Sequence, residues 1–196
     1  DLQSPGIHTI FSKYETIPSK SLNDYLWNRC SIQDTAYDVS DELRIQQKGR
    51  VFLIRSSVNL NEIARIISEG YNVNLLNSGF QRLIKELELD YLFIDTHPGL
   101  SRETLLSIAI SNILILILRP DSQDFQGTAV TVDVARQLKV SNMLMVINKV
   151  LSQMDFSELQ EKVETTYEIP VAGILPVSEE MMQLGSSGVF CLRYPE

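Results

Sequence analysis

The sequence predicts an α/β fold: a doubly wound, mostly parallel sheet with helices on both faces. Three observations carry this. From residue 51 onward, short apolar runs alternate with segments whose apolar residues recur at helical spacing. The run Tyr91 to Ile94 has no polar residue to face water, as expected of a parallel strand covered on both sides. The apolar runs end on residues that bind or bend: Asp95 before Pro98-Gly99, Arg119-Pro120, Asn148-Lys149 and Pro176-Val177.

Taken in order, Asp1 to His8 is polar and turn-rich, punctuated by Pro5-Gly6. Residues 12–49 are mixed. Ser21 to Trp27 suggests a short helix, and Ser31 to Gln47 reads as a polar loop or lid. Val51 to Ile54 is a buried strand. Asn59 followed by Glu62 has capping-box spacing, and the helix it starts, with Ile63, Ala64, Ile66 and Ile67, stops at Gly70. A second helix carries Leu76, Phe80, Leu83, Ile84 and Leu87 as its stripe. After the strand Tyr91 to Ile94, a helix starts near Ser101 with Leu105, Leu106, Ala109 and Ile110 on its apolar side. The strand Ile113 to Leu118 follows, then a helix with Phe125, Ala129, Val132, Ala135 and Leu138 inward. Met143 to Ile147 is a strand ending on Asn148. Asp155 with Glu158 caps a helix to about Tyr167, Val171 to Leu175 is the last clear strand, and Ser178 begins a short helix halted by Gly185 to Gly188.

The 196 residues suffice for one sizeable core, so a single domain over 1–196 is expected. The net charge of −8 argues against a broad nucleic-acid face. Cys30 and Cys191 form no CxxC pair, which argues against a zinc site or a disulfide framework and fits a cytoplasmic location. The longest apolar run, Ile113 to Leu118, is far too short to span a bilayer.

In such a sheet the ligand crevice is built from strand carboxyl ends. There Asp95 could hold a magnesium ion through water. The Asn148 amide has both a donor and an acceptor for an adenine edge, and Pro176 could pack on the ring. Each residue alone has a plainer use. A lone Asp is as often a cap, and a lone Asn is more often a turn residue. His97 and His8 read as makers of turn hydrogen bonds, and Arg119 as a solvated or ion-paired side chain.

Together the motifs resemble the MinD/ParA family of deviant Walker ATPases. Leu89-Asp-Tyr-Leu-Phe-Ile-Asp-Thr-His-Pro-Gly-Leu looks like the family's Walker B and switch II segment. Met145-Val-Ile-Asn-Lys-Val resembles its "VNRV" or "VNKV" strand, and Val171-Ala-Gly-Ile-Leu-Pro-Val its "GxIPxDxxV" segment. Asp1-Leu-Gln-Ser-Pro-Gly is similar to the second half of its "DxDxxxPG" element. The resemblance spans nearly the whole chain, in the family's order. It implies a three-layer, P-loop NTPase-like fold, with ATP and Mg2+ as ligands. Asp1 would position the attacking water, Asp95 would hold magnesium through water, and Gly99 would sense the γ-phosphate. Asn148 would select adenine, with Pro176 and Val177 against the ring.

The implied activity is a slow, partner-stimulated P-loop ATPase that dimerises on ATP and positions or partitions a cargo. Plasmids, chromosomes, and division or polar machinery are such cargoes. The implied partners are a second copy of the chain and an activating protein, with a membrane surface or the nucleoid as docking surface. The family's KGGxGK(S/T) loop is absent from these residues. The chain therefore reads as a domain incomplete at its N-terminus, with its C-terminus open to the same reading. The alternative is a non-catalytic MinD/ParA-like interaction module that has lost phosphate binding. A receiver-like domain ranks lower, because Asp95 has no adjacent acidic pair.

Overall fold

The computed structural model describes residues 1–3, 5–11, 20–44 and 49–195. They form two compact units, Asp1–His97 with Met181–Glu196, and Pro98–Glu180.

In the first unit, a 3-10 turn at Ile7–Ile10 precedes α1 (Leu22–Leu26). A capping box starts α1: the Ser21 hydroxyl accepts from the Asp24 N–H, and the Asp24 carboxylate accepts from the Ser21 N–H at 2.9 Å. The expected loop at 31–47 holds instead a 3-10 turn, Gln33–Thr35, and strand β1 (Ala36–Asp38). β1 pairs antiparallel with β2 (Phe52–Ile54), Tyr37 opposite Leu53. Its buried residues, Ile32, Thr35 and Val39, are scattered among polar ones, too sparsely to signal order. Residues 12–19 and 45–48 of the stretch read as mixed lie outside the described residues, as does Ser4 of the Asp1–Gly6 motif.

α2 (Leu60–Glu69) starts at Asn59 as the sequence indicates, but without the expected capping box, because the Glu62 carboxylate accepts from Trp27 and Arg29 instead. The Asn59 side chain accepts from the Asn61 N–H, and the helix ends at Gly70, whose φ of 69° suits a residue without Cβ. α3 (Val73–Glu86) buries Leu76, Gly79, Phe80 and Leu83. A Cβ added at Gly79 would lie 2.7 Å from the Tyr25 ring, and that ring is fixed by its hydroxyl donating to the Leu75 carbonyl at 2.8 Å. Helix propensity favours Ala over Gly by about 1 kcal/mol, but overpacking costs about 1–3 kcal/mol. Gly79→Ala is therefore expected to lower stability, by roughly 1 kcal/mol net. Thermal unfolding checks this; a higher Tm would show that the Tyr25 ring gives way.

The expected strand at Tyr91–Ile94 has no hydrogen-bonded neighbour among the described residues. Tyr91 is 79% exposed and Phe93 84%, so the run is not covered on both sides. Leu92 and Ile94 are half-buried, which gives the run a two-residue period that its uniform apolarity hid.

In the second unit, α4 (Arg102–Ile110) starts on Ser101, whose side chain accepts from the Thr104 N–H. It buries Thr104 and Ile108, not the stripe of Leu105, Leu106, Ala109 and Ile110; a helix apolar on several sides does not announce its inner face. β3 (Leu114–Leu118), β4 (Met143–Val150) and β5 (Val171–Pro176) make a parallel sheet in that order. Between them lie α5 (Ser122–Gln137), capped by Asp121, and α6 (Phe156–Tyr167), capped by Asp155, the crossovers that parallel pairing requires.

The core of this unit joins Leu116, Leu118, Met145, Ile147 and Val150 of the sheet to Val132 of α5 and to Leu159, Val163 and Tyr167 of α6. Alternate residues of β3 point the other way: Ile115 is 48% and Ile117 66% exposed. α7 (Glu179–Leu184) carries the chain back to the first unit, where α8 (Phe190–Arg193) follows Gly188, an element the sequence reading lacked. No helix among the described residues is long and apolar enough to cross a membrane.

Candidate functional site

In the first unit the fold brings together Asp1 and Asp95, 94 residues apart. The backbone nitrogen of Asp1 donates to the Asp95 carbonyl at 2.8 Å. Asp1 Oδ1 accepts from the Gln3 N–H at 2.9 Å. Asp1 Oδ2 lies 3.3 Å from His97 Nδ1. The Asp1 side chain is only 9% exposed. Asp95 is exposed, and among the described residues its carboxylate accepts no hydrogen bond.

Beside the pair is a cavity of about 100 Å³ lined by Asp1, Pro5, Gly6, Ser56, Phe93 and Asp95. A nucleotide needs roughly 300 Å³ or more, so this cavity has room for a phosphate group or a few waters. No cluster of three or more His, Cys, Asp or Glu side chains suited to a metal occurs among the described residues. A single open carboxylate still fits magnesium, which keeps several waters and uses one or two carboxylates beside the phosphates of its ligand.

In the second unit Gly99 has φ +93°, a conformation that favours glycine, and an added Cβ there would meet nothing within 4 Å. β4 runs past its expected end, so Asn148 and Lys149 lie inside the strand and not after it. The ladder with β5 shifts register between Ile147 and Val150, and Lys149 takes φ +57°. This irregularity sets Asn148 apart from the regular pleat. Its Oδ1 accepts from the Lys149 N–H at 2.9 Å, leaving Nδ2 without a hydrogen bond among the described residues. Pro176 pairs with Val150, and the Val177 N–H donates to the Val150 carbonyl at 2.9 Å. Both Pro176 and Val177 are exposed. The amide and the Pro-Val pair thus stand at neighbouring ends of adjacent parallel strands.

Arg119 is ion-paired. Its guanidinium holds both Asp124 oxygens, at 2.9 and 3.0 Å, and keeps that carboxyl below the usual carboxylate range. The sequence reading put His97 in a turn hydrogen bond, whereas its ring faces Asp1, 96 residues away. No local pattern could have signalled it.

No protein-family model matches the chain. The chain is 24% identical, over 178 residues, to an uncharacterised ATP-binding protein of Methanocaldococcus jannaschii. That alignment covers 90% of this chain, and the chain spans 61% of that protein. Among solved structures it matches the MinD cell division protein of Aquifex aeolicus with a TM-score of 0.71 at 10% identity, covering 96% of this chain and 74% of that one. The MinC:MinD cell division protein complex of the same organism matches at 0.69 and 10% identity, with 92% and 67% covered. A ParA family ATPase from Chlorobium tepidum matches at 0.61 and 15% identity, with 88% and 70% covered. The fold is like that of these MinD and ParA structures, an α/β arrangement with parallel strands joined by helices.

Proposed function

We propose that the chain is part of an ATP-binding and hydrolysing switch of the MinD/ParA type, which dimerises on ATP and positions or partitions an intracellular cargo. One observation carries the reading: Asp1 and Asp95 stand side by side, their backbones bonded at 2.8 Å. The proposed chemistry asks for such a pair. One carboxylate directs a water, and the other holds a hydrated cation on the phosphates.

Magnesium, when bound near Asp95, neutralises phosphate charge. The chain's own groups supply position, which is most of what phosphoryl transfer asks of a protein. Asp1 accepts hydrogens from the attacking water and points its lone pair at phosphorus. The Gly99 N–H follows the γ-phosphate. Asn148 pairs with the adenine edge, and Pro176 and Val177 pack on its ring. Loss of the γ-phosphate contacts would shift the dimer equilibrium, and an activating partner would speed that step. The relative described as ATP-binding supports the choice of nucleotide.

The reading also requires a lysine-bearing glycine loop, which these residues do not contain. In the second unit β3 has no strand on its outer edge among the described residues, and it shows Ile115 and Ile117 to water. A preceding strand-loop-helix would fit there, its strand on the free parallel edge and its helix over the apolar face.

The test begins with intact mass and N-terminal sequence of the polypeptide purified from its source. A longer chain with that loop supports the switch; a chain without it turns the reading to the non-catalytic interaction module. In the intact protein, Asn148→Ala is expected to weaken ATP binding roughly tenfold, about 1.4 kcal/mol, and to erase preference over GTP. Equal ATP and GTP affinities in the parent would remove the assigned role of Asn148.

A further inference from the structure

Asp1 is held more firmly than an exposed aspartate would be. Its backbone nitrogen is tied to Asp95 and its Oδ1 to the Gln3 N–H. The second oxygen, Oδ2, is turned toward His97. His97 Nδ1 faces it at 3.3 Å. The His97 side chain is 34% exposed against 9% for Asp1, so the ring lies on the solvent side of the carboxylate.

An ionised carboxylate offers only acceptors. The ring nitrogen that faces it must therefore carry a hydrogen, which in a neutral imidazole fixes the Nδ1–H tautomer and leaves Nε2 as an acceptor. An imidazole N–H at this place orients the carboxylate through a single directed bond. A lysine or arginine would supply a competing cation.

We propose that His97 is a positioning residue for ATP hydrolysis, acting through Asp1. By donating from Nδ1 to Oδ2, it helps hold that carboxylate in one orientation and keeps one lone-pair direction on the attacking water. This inference rests on the ATPase reading above. It gives a role to a residue that lies in the quoted switch II-like segment but to which the resemblance assigns none.

The test compares turnover and ATP affinity in the intact parent, His97→Ala, His97→Asn, Asp1→Ala and the His97→Ala/Asp1→Ala double variant. His97→Ala is expected to lower kcat roughly 10- to 100-fold, with ATP affinity changed by less than about twofold. His97→Asn, whose amide can donate from near the Nδ1 position, should recover most of the loss. The double variant should be no slower than Asp1→Ala alone, because both substitutions remove one unit.

Nitrogen NMR of the His97 ring in the parent should give the Nδ1–H tautomer at neutral pH. An Nε2–H tautomer, or loss without rescue by Asn, would overturn the proposal. A parent that binds no ATP overturns the ATPase reading and this inference with it. A parent that turns over ATP beside an equally active His97→Ala overturns this inference alone.

Discussion

Replacing Asp95 with Ala in the intact protein is expected to abolish magnesium-dependent ATP turnover, a fall on the order of 100-fold or more, while the fold survives. The two halves of this expectation have separate causes. The Asp95 side chain is exposed and accepts no hydrogen bond among the described residues, so its removal strands no buried donor. What Asp95 gives to the structure is its backbone carbonyl, which receives the Asp1 nitrogen and is unchanged by the substitution. Stability should therefore move by no more than about 0.5 kcal/mol. The lost group is the one placed to hold a hydrated cation against phosphate charge. Turnover against magnesium concentration, with Tm as the control, checks both halves. Normal turnover with the parent's magnesium dependence would sink the assigned role.

The second large effect concerns the sheet of the second unit. Ile147→Ala is expected to cost about 2–5 kcal/mol, whereas Ile117→Ala in the same 196-residue chain should cost less than about 1 kcal/mol. The two residues sit on neighbouring strands, since Ile117 pairs with Val146 and Leu118 with Ile147. Their faces differ. Ile147 is fully buried among Leu118, Val132, Val150, Leu159 and Val163, and a cavity there would be closed on every side. Ile117 is 66% exposed, so truncating it removes little from water-free contact. Urea unfolding midpoints at constant slope measure both. Equal costs would mean that the Ile117 face is covered in solution.

These contrasts show what a linear sequence discloses. Caps were legible because their chemistry is local: Asn59 and Asp155 each meet a partner within three residues. The parallel order of β3, β4 and β5 followed from the strand–helix alternation. Coverage was not legible at Tyr91–Ile94, because burial depends on which elements pack against a run and not on the run's own apolarity. The end of β4 was missed because Asn148 and Lys149 look like a terminus, while the ladder absorbs them through a register shift. Asp95 was singled out as a candidate from its place after an apolar run. Its adjacency to Asp1, and the hold of His97 on Asp1, are tertiary facts across more than ninety residues. The same is true of the Tyr25 ring against Gly79.

The edge of β3, unpaired among the described residues, also governs how these 196 residues behave in a test tube. Natural sheets blunt such borders with lysine, proline or a bulge. Ile113 to Leu118 contains none of these and no charge at all. Its outward backbone groups and isoleucines form a ready template for another molecule's strand, so polypeptide held at high concentration should clump edge to edge. The net charge of −8 opposes that encounter at long range. Added salt cuts the reach of this repulsion to about 10 Å at 0.1 M, and so hastens precipitation.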